Sequence, residues 1–157
     1  LIYTDCDMVF LNNPTPMIVA AEESVGNDYD IDISFASDEP FMPICTGFMY
    51  IKNTKVVHSL FKKYLEMSLL YGAEGSKHMY DQEIINLILR DNLLEEKFIW
   101  AVYPTTFIKN GHLYWNEYET RTGHESVVHV NYTIGEENKI NRLKEASLWY
   151  VQEEVIS

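Results

Sequence analysis

Two aspartates one residue apart, Asp5 and Asp7, follow a short apolar run (residues 1–4) and precede a second one (residues 8–11) that stops at Pro14. An apolar run bounded by turn signals suits a buried strand in a parallel sheet. Side chains alternate along a strand, so Asp5 and Asp7 share a face while Cys6 takes the other. Two carboxylates on one face repel each other. They stay ionised together at little cost only where a cation lies between them or water covers them. Two readings follow. One is a divalent-metal site at the edge of a sheet, where open α/β sheets bind their ligands. The other is a pair of solvated aspartates in a strand-to-loop turn.

The chain has 157 residues, 46% of them hydrophobic, which is enough for one domain with a core. A net charge of -12 argues against nucleic-acid binding, which needs a basic face. It leaves a phosphate-bearing substrate open, because a bound metal inverts the local charge. Cys6 and Cys45 match neither a zinc spacing nor a disulfide framework, so both are expected as small buried hydrophobes. No apolar run approaches the roughly 20 residues of a membrane span, and no signal peptide is visible. The chain opens in mid-strand without a starter methionine and is expected to be a fragment or a processed piece.

The elements that must position the carboxylates can be read in order. Residues 14–21 suit a short helix, with Pro14 in its first turn. Residues 28–35 alternate as a strand, with Ile31, Ile33 and Phe35 on one face and a solvated acidic face opposite. Residues 37–40 turn. Cys45-Thr46-Gly47 leads into a buried strand over 48–51, and Gly47 admits a close approach to the backbone. Asn53 or Thr54 caps a helix to about Leu70, whose apolar stripe is Val56, Val57, Leu60, Phe61, Tyr64 and Leu65. Residues 71–78 read as loop, and Asp81-Gln82-Glu83 opens a largely buried helix. A strand over 98–103 ends at Pro104, and Asn110-Gly111 makes a turn. Residues 117–125 read as polar loop, 127–131 as a strand, and 136–146 as a charged helix with Ile140 and Leu143 inward. Residues 1–150 are expected to form a single domain, with 151–157 as a frayed tail. Strands alternate with helices, which predicts an α/β fold with a mostly parallel sheet flanked by helices.

Several motifs occur in a telling order. Asp5-x-Asp7 with Phe10-Leu11-x-x-Pro14 comes first. Ser37-Asp38, Thr46-Gly47-Phe48, Asp81-Gln82 and Phe107-x-x-Asn110-Gly111-His112 come next. His129-x-Asn131-Tyr132 with Gly135, Lys139, Leu143 and Trp149 closes the series. The chain resembles the nucleotide-diphospho-sugar transferase family of metal-dependent glycosyltransferases with the GT-A fold, retaining α-glycosyltransferases among them. The resemblance implies a GT-A-like domain that is N-terminally truncated, beginning at the Asp-x-Asp strand and lacking the nucleotide-binding half. It implies Mn2+ (or Mg2+) held by Asp5, Asp7 and His129, and a nucleotide-diphospho-sugar donor whose phosphate meets Lys139. Asp38, Thr46 and Gly47 would line the donor-sugar pocket, and Asp81 and Gln82 would sit beside the anomeric carbon as the catalytic pair. The acceptor would be a carbohydrate or glycoprotein. Relatives commonly carry Asn before the Thr-Gly, where this chain has Cys45. Members occur in the Golgi lumen and in the cytoplasm, so localisation stays open.

Residue type alone also supports plainer readings. His129 between valines fits a satisfied core histidine, Lys139 an exposed helix lysine, and Asp38 a turn residue. Asp81 and Gln82 fit a helix cap and a first-turn polar residue. The opening motif is also similar to the nucleophile strand of haloacid-dehalogenase-type phosphatases, with Asp5 phosphorylated and Asp7 as acid/base; Asp38-Glu39 is a poor stand-in for the distal acidic pair that class needs. A non-catalytic carbohydrate-binding fragment is the third reading. Asn131-Tyr132-Thr133 is a glycosylation acceptor pattern beside His129, where a glycan would block a metal site.

Overall fold

The computed structural model describes residues 1–24, 30–71 and 79–150. Strands β1 (Ile2–Thr4) and β2 (Met8–Phe10) flank the two aspartates, and helix α1 (Thr15–Ser24) follows. Strands β3 (Ile33–Asp38) and β4 (Met42–Ile51) come next, then helices α2 (Lys55–Tyr71) and α3 (Asp81–Arg90). The remainder comprises β5 (Trp100–Tyr103), β6 (Ile108–Lys109), α4 (Gly111–Asn116), a 3-10 turn (Tyr118–Thr120), β7 (Val127–His129) and α5 (Glu136–Glu145).

The strands form a four-stranded sheet, in order β1-β4-β3-β5, and a three-stranded sheet, in order β2-β7-β6. The α/β class holds, but the pairing is mixed rather than mostly parallel. β3–β5 and β6–β7 run parallel, whereas β1–β4, β3–β4 and β2–β7 run antiparallel. Connection length decides this: residues 39–41 are too few for the crossover that parallel neighbours need.

β3 lies at the centre and is buried on both faces. The expected solvated acidic face is therefore absent among its described residues. Asp32, just before it, is buried: one carboxylate oxygen accepts the Thr54 hydroxyl at 2.8 Å and the other accepts the Ile99 N–H at 3.0 Å. The Thr54 hydroxyl also accepts the Val57 N–H, so one side chain caps α2 and ties it to the sheet. β1 is an edge strand rather than a buried one. Among the described residues only β4 pairs with it, and Leu1, Ile2 and Tyr3 are exposed.

One core packs α2 and α3 on the four-stranded sheet through Ile33, Phe35, Met49, Leu60, Ile84 and Ile88. Met67 joins this core from α2, while Leu65 faces out. A second core sets α1 against Phe48, Tyr103 and Val127, and a third gathers Trp115, Val128, Val130 and Leu143. The expected Asn110-Gly111 turn is a helix start. Asn110 caps α4 by accepting the Leu113 N–H at 2.9 Å, and a Cβ on Gly111 would meet the Asn131 carbonyl at 2.1 Å. The expectations for residues 28–29, 72–78 and the tail 151–157 fall outside the described residues.

Candidate metal and transfer site

Asp5, Cys6 and Asp7 sit where the chain leaves one sheet for the other, between the end of β1 and the start of β2. Alternation along a continuous strand is therefore not what aligns the two carboxylates. Each sheet holds one end of the turn instead. The Asp5 N–H donates to the Gly47 carbonyl at 2.8 Å, and the Asp7 carbonyl accepts the Val130 N–H at 2.9 Å. The β2–β7 register places His129 opposite Met8, one residue beyond Asp7.

The result is a convergence. His129 Nε2 lies 3.2 Å from Asp7 Oδ1 and 3.6 Å from Asp5 Oδ2. One ligand atom from each of the three residues lies within 4.8 Å of the others. His129 is buried, and its Nε2 faces the two carboxylates rather than hydrocarbon.

A bulge in β4 supplies the room. Phe35 pairs with Met49 and Ala36 with Cys45, so Thr46, Gly47 and Phe48 are skipped in the pairing with β3. Bulges re-aim a strand locally and recur beside active sites. Here the bulge carries Gly47 under the imidazole. A Cβ at that position would lie 2.6 Å from His129 Cε1 and 2.9 Å from Asp5 Oδ2.

Lys139 is not a plain solvent lysine. Gly135, at a φ of 88°, turns the chain from β7 into α5. One turn later the Lys139 ammonium reaches Asp7 Oδ2 at 2.5 Å. The His129 ring, and Lys139 after it, hold the Asp7 carboxyl far below its ordinary range, against the cost of burial.

The remaining expected residues form an adjoining polar chain. The Thr46 hydroxyl donates to Asp81 Oδ2 at 3.2 Å. Gln82 accepts the Thr46 N–H at 3.3 Å through its Oε1 and donates to Asp38 Oδ2 at 2.8 Å through its Nε2. Asn86, one turn on, brackets Ile44 by accepting its N–H and donating to its carbonyl. The amides of α3 thus occupy backbone groups that the bulged stretch of β4 does not spend on β3. Asp38 is buried and also accepts the Tyr132 hydroxyl at 2.7 Å. Burial pushes its carboxyl above the usual range, against the pull of Tyr132 and Gln82. Asp38 is thus more than the turn residue its type suggests.

All nine expected residues therefore fall in two touching clusters: Asp5, Asp7, His129 and Lys139 around Gly47, and Asp81, Gln82, Thr46 and Asp38 beyond it. Tyr3 went unforeseen, and so did the contacts of Tyr132 and Cys45. Tyr132 donates to Asp38, and Tyr3 lies 3.3 Å from Asp5 Oδ1. Cys45 is buried as expected, with burial pushing its thiol up to about 12, but it also touches the site: its Sγ is 3.6 Å from His129 Nδ1. Cys6 is exposed rather than buried, because it sits at the tip of the crossover turn. Asn131 is committed to the fold, accepting the Gly111 N–H at 2.7 Å and facing Asp38 through Nδ2 at 3.5 Å. A glycan on that nitrogen would displace the Asp38 contact.

Two hard oxygen donors with one imidazole fit a manganese-type ion, which tolerates nitrogen where magnesium prefers oxygen. The missing side chain at Gly47 keeps the three donors from being pushed apart. The described residues thus fit the group.

Comparisons with known proteins bear on the family and the fold. The family model described as nucleotide-diphospho-sugar transferase matches residues 1–143. The chain is 25% identical over 170 residues to an Arabidopsis thaliana protein named UDP-D-xylose:L-fucose alpha-1,3-D-xylosyltransferase 3, covering 99% of this chain and 44% of that protein. It is 24% identical over 172 residues to a Dictyostelium discoideum protein named UDP-galactose:fucoside alpha-3-galactosyltransferase, covering 99% of this chain and 26% of that one. Among solved structures, the glycosyltransferase GlyE of Streptococcus pneumoniae TIGR4 superposes with a TM-score of 0.51 at 13% identity, over 99% of this chain and 45% of that chain. That likeness shows the fold. The chain spans less than half the length of each of these relatives.

Proposed function

We propose, from the premise that this chain belongs to the nucleotide-diphospho-sugar transferase family, that it carries the metal and transfer centre of a glycosyltransferase. The reaction moves a sugar from a nucleotide-diphospho-sugar to an acceptor hydroxyl with retention at the anomeric carbon. Family membership sets the phosphatase reading of Asp5 aside. The convergence of Asp5, Asp7 and His129 on one point is the observation that carries the proposal. The names of the relatives favour a UDP-sugar donor and a fucose-bearing acceptor.

Departure of the nucleoside diphosphate is the hard part of the chemistry, because charge accumulates on the leaving phosphate. Mn2+ (or Mg2+) held by Asp5, Asp7 and His129 would supply Lewis-acid charge there. Lys139 adds a second positive charge, already aimed at the same point through Asp7. Preorganised charge of this kind is usually the largest single contribution to catalysis. Asp81 and Gln82 face the sugar, and their orientation is fixed in advance. Thr46 holds one oxygen of Asp81, and the Gln82 amide is pinned between Thr46 and Asp38. Their role is to steady the anomeric carbon as its bond to phosphate breaks and the acceptor oxygen bonds to it.

The test is donor hydrolysis by the intact protein with Mn2+ and a panel of UDP-sugars. Asp7→Ala should abolish the metal-dependent rate. Near-normal turnover in that variant would remove Asp7 from the site. Donor binding without any turnover in the unaltered protein would favour a carbohydrate-binding role.

A further inference from the structure

A metal-ligating imidazole is useful only if its free electron pair points at the metal, and that is decided at the other ring nitrogen. In this chain the other nitrogen faces a thiol. Cys45 Sγ lies 3.6 Å from His129 Nδ1, and both side chains are buried. The thiol is itself held in place, since the Gly47 N–H donates to Sγ at 3.4 Å. Cys45 and Gly47 are two residues apart on β4 and present the same face to the ring. The absent side chain of Gly47 makes the bed, and Cys45 grips one end of the ring.

We propose that Cys45 is a positioning residue for His129, its thiol setting which ring nitrogen carries the proton. The inference rests on the metal reading above and extends it. Nε2 is faced by Asp5 and Asp7, and carboxylates only accept. Without an ion, Nε2 carries the proton toward Asp7 and the Cys45 S–H donates to Nδ1. With an ion, Nε2 gives its electron pair, the proton resides on Nδ1, and Nδ1–H donates to Sγ. A thiol has one hydrogen and lone pairs, so it satisfies the ring in both states. A hydroxyl can do the same, whereas a methyl group can do neither.

The experiment is Mn2+ calorimetry on the intact protein with Cys45→Ser and Cys45→Val, each checked for an unchanged circular-dichroism spectrum. Ring-nitrogen NMR of His129, before and after Mg2+, accompanies it. Cys45→Val should weaken Mn2+ binding about 10–100-fold, the usual effect of losing such a partner, and Cys45→Ser should stay near the unaltered protein. The NMR spectra should show the proton moving from Nε2 to Nδ1 on metal addition in the unaltered protein and in Cys45→Ser. Equal affinity in Cys45→Val, or equal weakening in both variants, would overturn the role of Cys45 while leaving the metal site intact. Failure of the unaltered protein to bind Mn2+ would overturn both.

Discussion

At residue scale, the space left at position 47 matters as much as the charges around it. A methyl group there would press on His129 Cε1 and Asp5 Oδ2. Gly47→Ala should therefore cost about 1–3 kcal/mol of stability, the usual range for overpacking, and weaken metal binding as well. Urea denaturation with and without Mn2+ checks this; an unchanged midpoint in both series would contradict it. Asp7 makes a second prediction. His129 and Lys139 depress its carboxyl well below the ordinary value of 3.8. A depressed group contributes stability that is complete above its unfolded value and is lost as the pH falls below it. Asp7→Asn should flatten the decline in melting temperature below about pH 4, and an identical acid limb would contradict the pairing. The acid pair itself was legible from residue type and spacing. The contacts of Cys45 with His129 and of Tyr132 with Asp38 were not, because a thiol and a phenol give no sign of their partner until a register brings it to them.

At element scale, the loop before β7 is anchored by a buried ion pair that composition could not reveal. Residues 117–125 read as polar loop, yet Glu125 is buried and lies 3.2 Å from the equally buried Lys109 of β6. Glu125 also accepts the Thr122 N–H at 2.7 Å, so the pair pins the segment that feeds β7 and thus His129. Removing one partner of a buried pair takes the counter-ion from the other and costs about 3–5 kcal/mol. Glu125→Ala should lose stability on that scale, and a Lys109→Met, Glu125→Leu double variant should recover most of it. Equal losses in both would contradict the pairing argument. Apart from α4, which read as a turn, helix positions were legible because apolar spacing and caps such as Thr54 act locally. Strand direction was not, since it depends on which distant strand arrives alongside. The β4 bulge escaped for the same reason: Cys45-Thr46-Gly47 reads only as the lead into a strand until the pairing skips Thr46, Gly47 and Phe48.

At the scale of the whole molecule, a chain of net charge -12 concentrates two carboxylates at the junction of two sheets and covers them with one imidazole and one lysine. A bound divalent ion relieves that repulsion only in the folded state, because Asp5 and His129 are more than a hundred residues apart in the chain. Mn2+ at about a hundred times its dissociation constant should add about 2.7 kcal/mol of stability, seen as a rise in melting temperature of several degrees that a chelator reverses. The order of motifs announced the family and the alternation of strands with helices the α/β class, while the mixed sheets and the crossover turn needed three dimensions. The most direct test is a Mn2+ titration of the unaltered protein beside Asp5→Ala, Asp7→Ala and His129→Ala, read by calorimetry. The account predicts one strong site in the unaltered protein, weakened at least tenfold by each change. A titration in which all three variants bind as the unaltered protein does would contradict it.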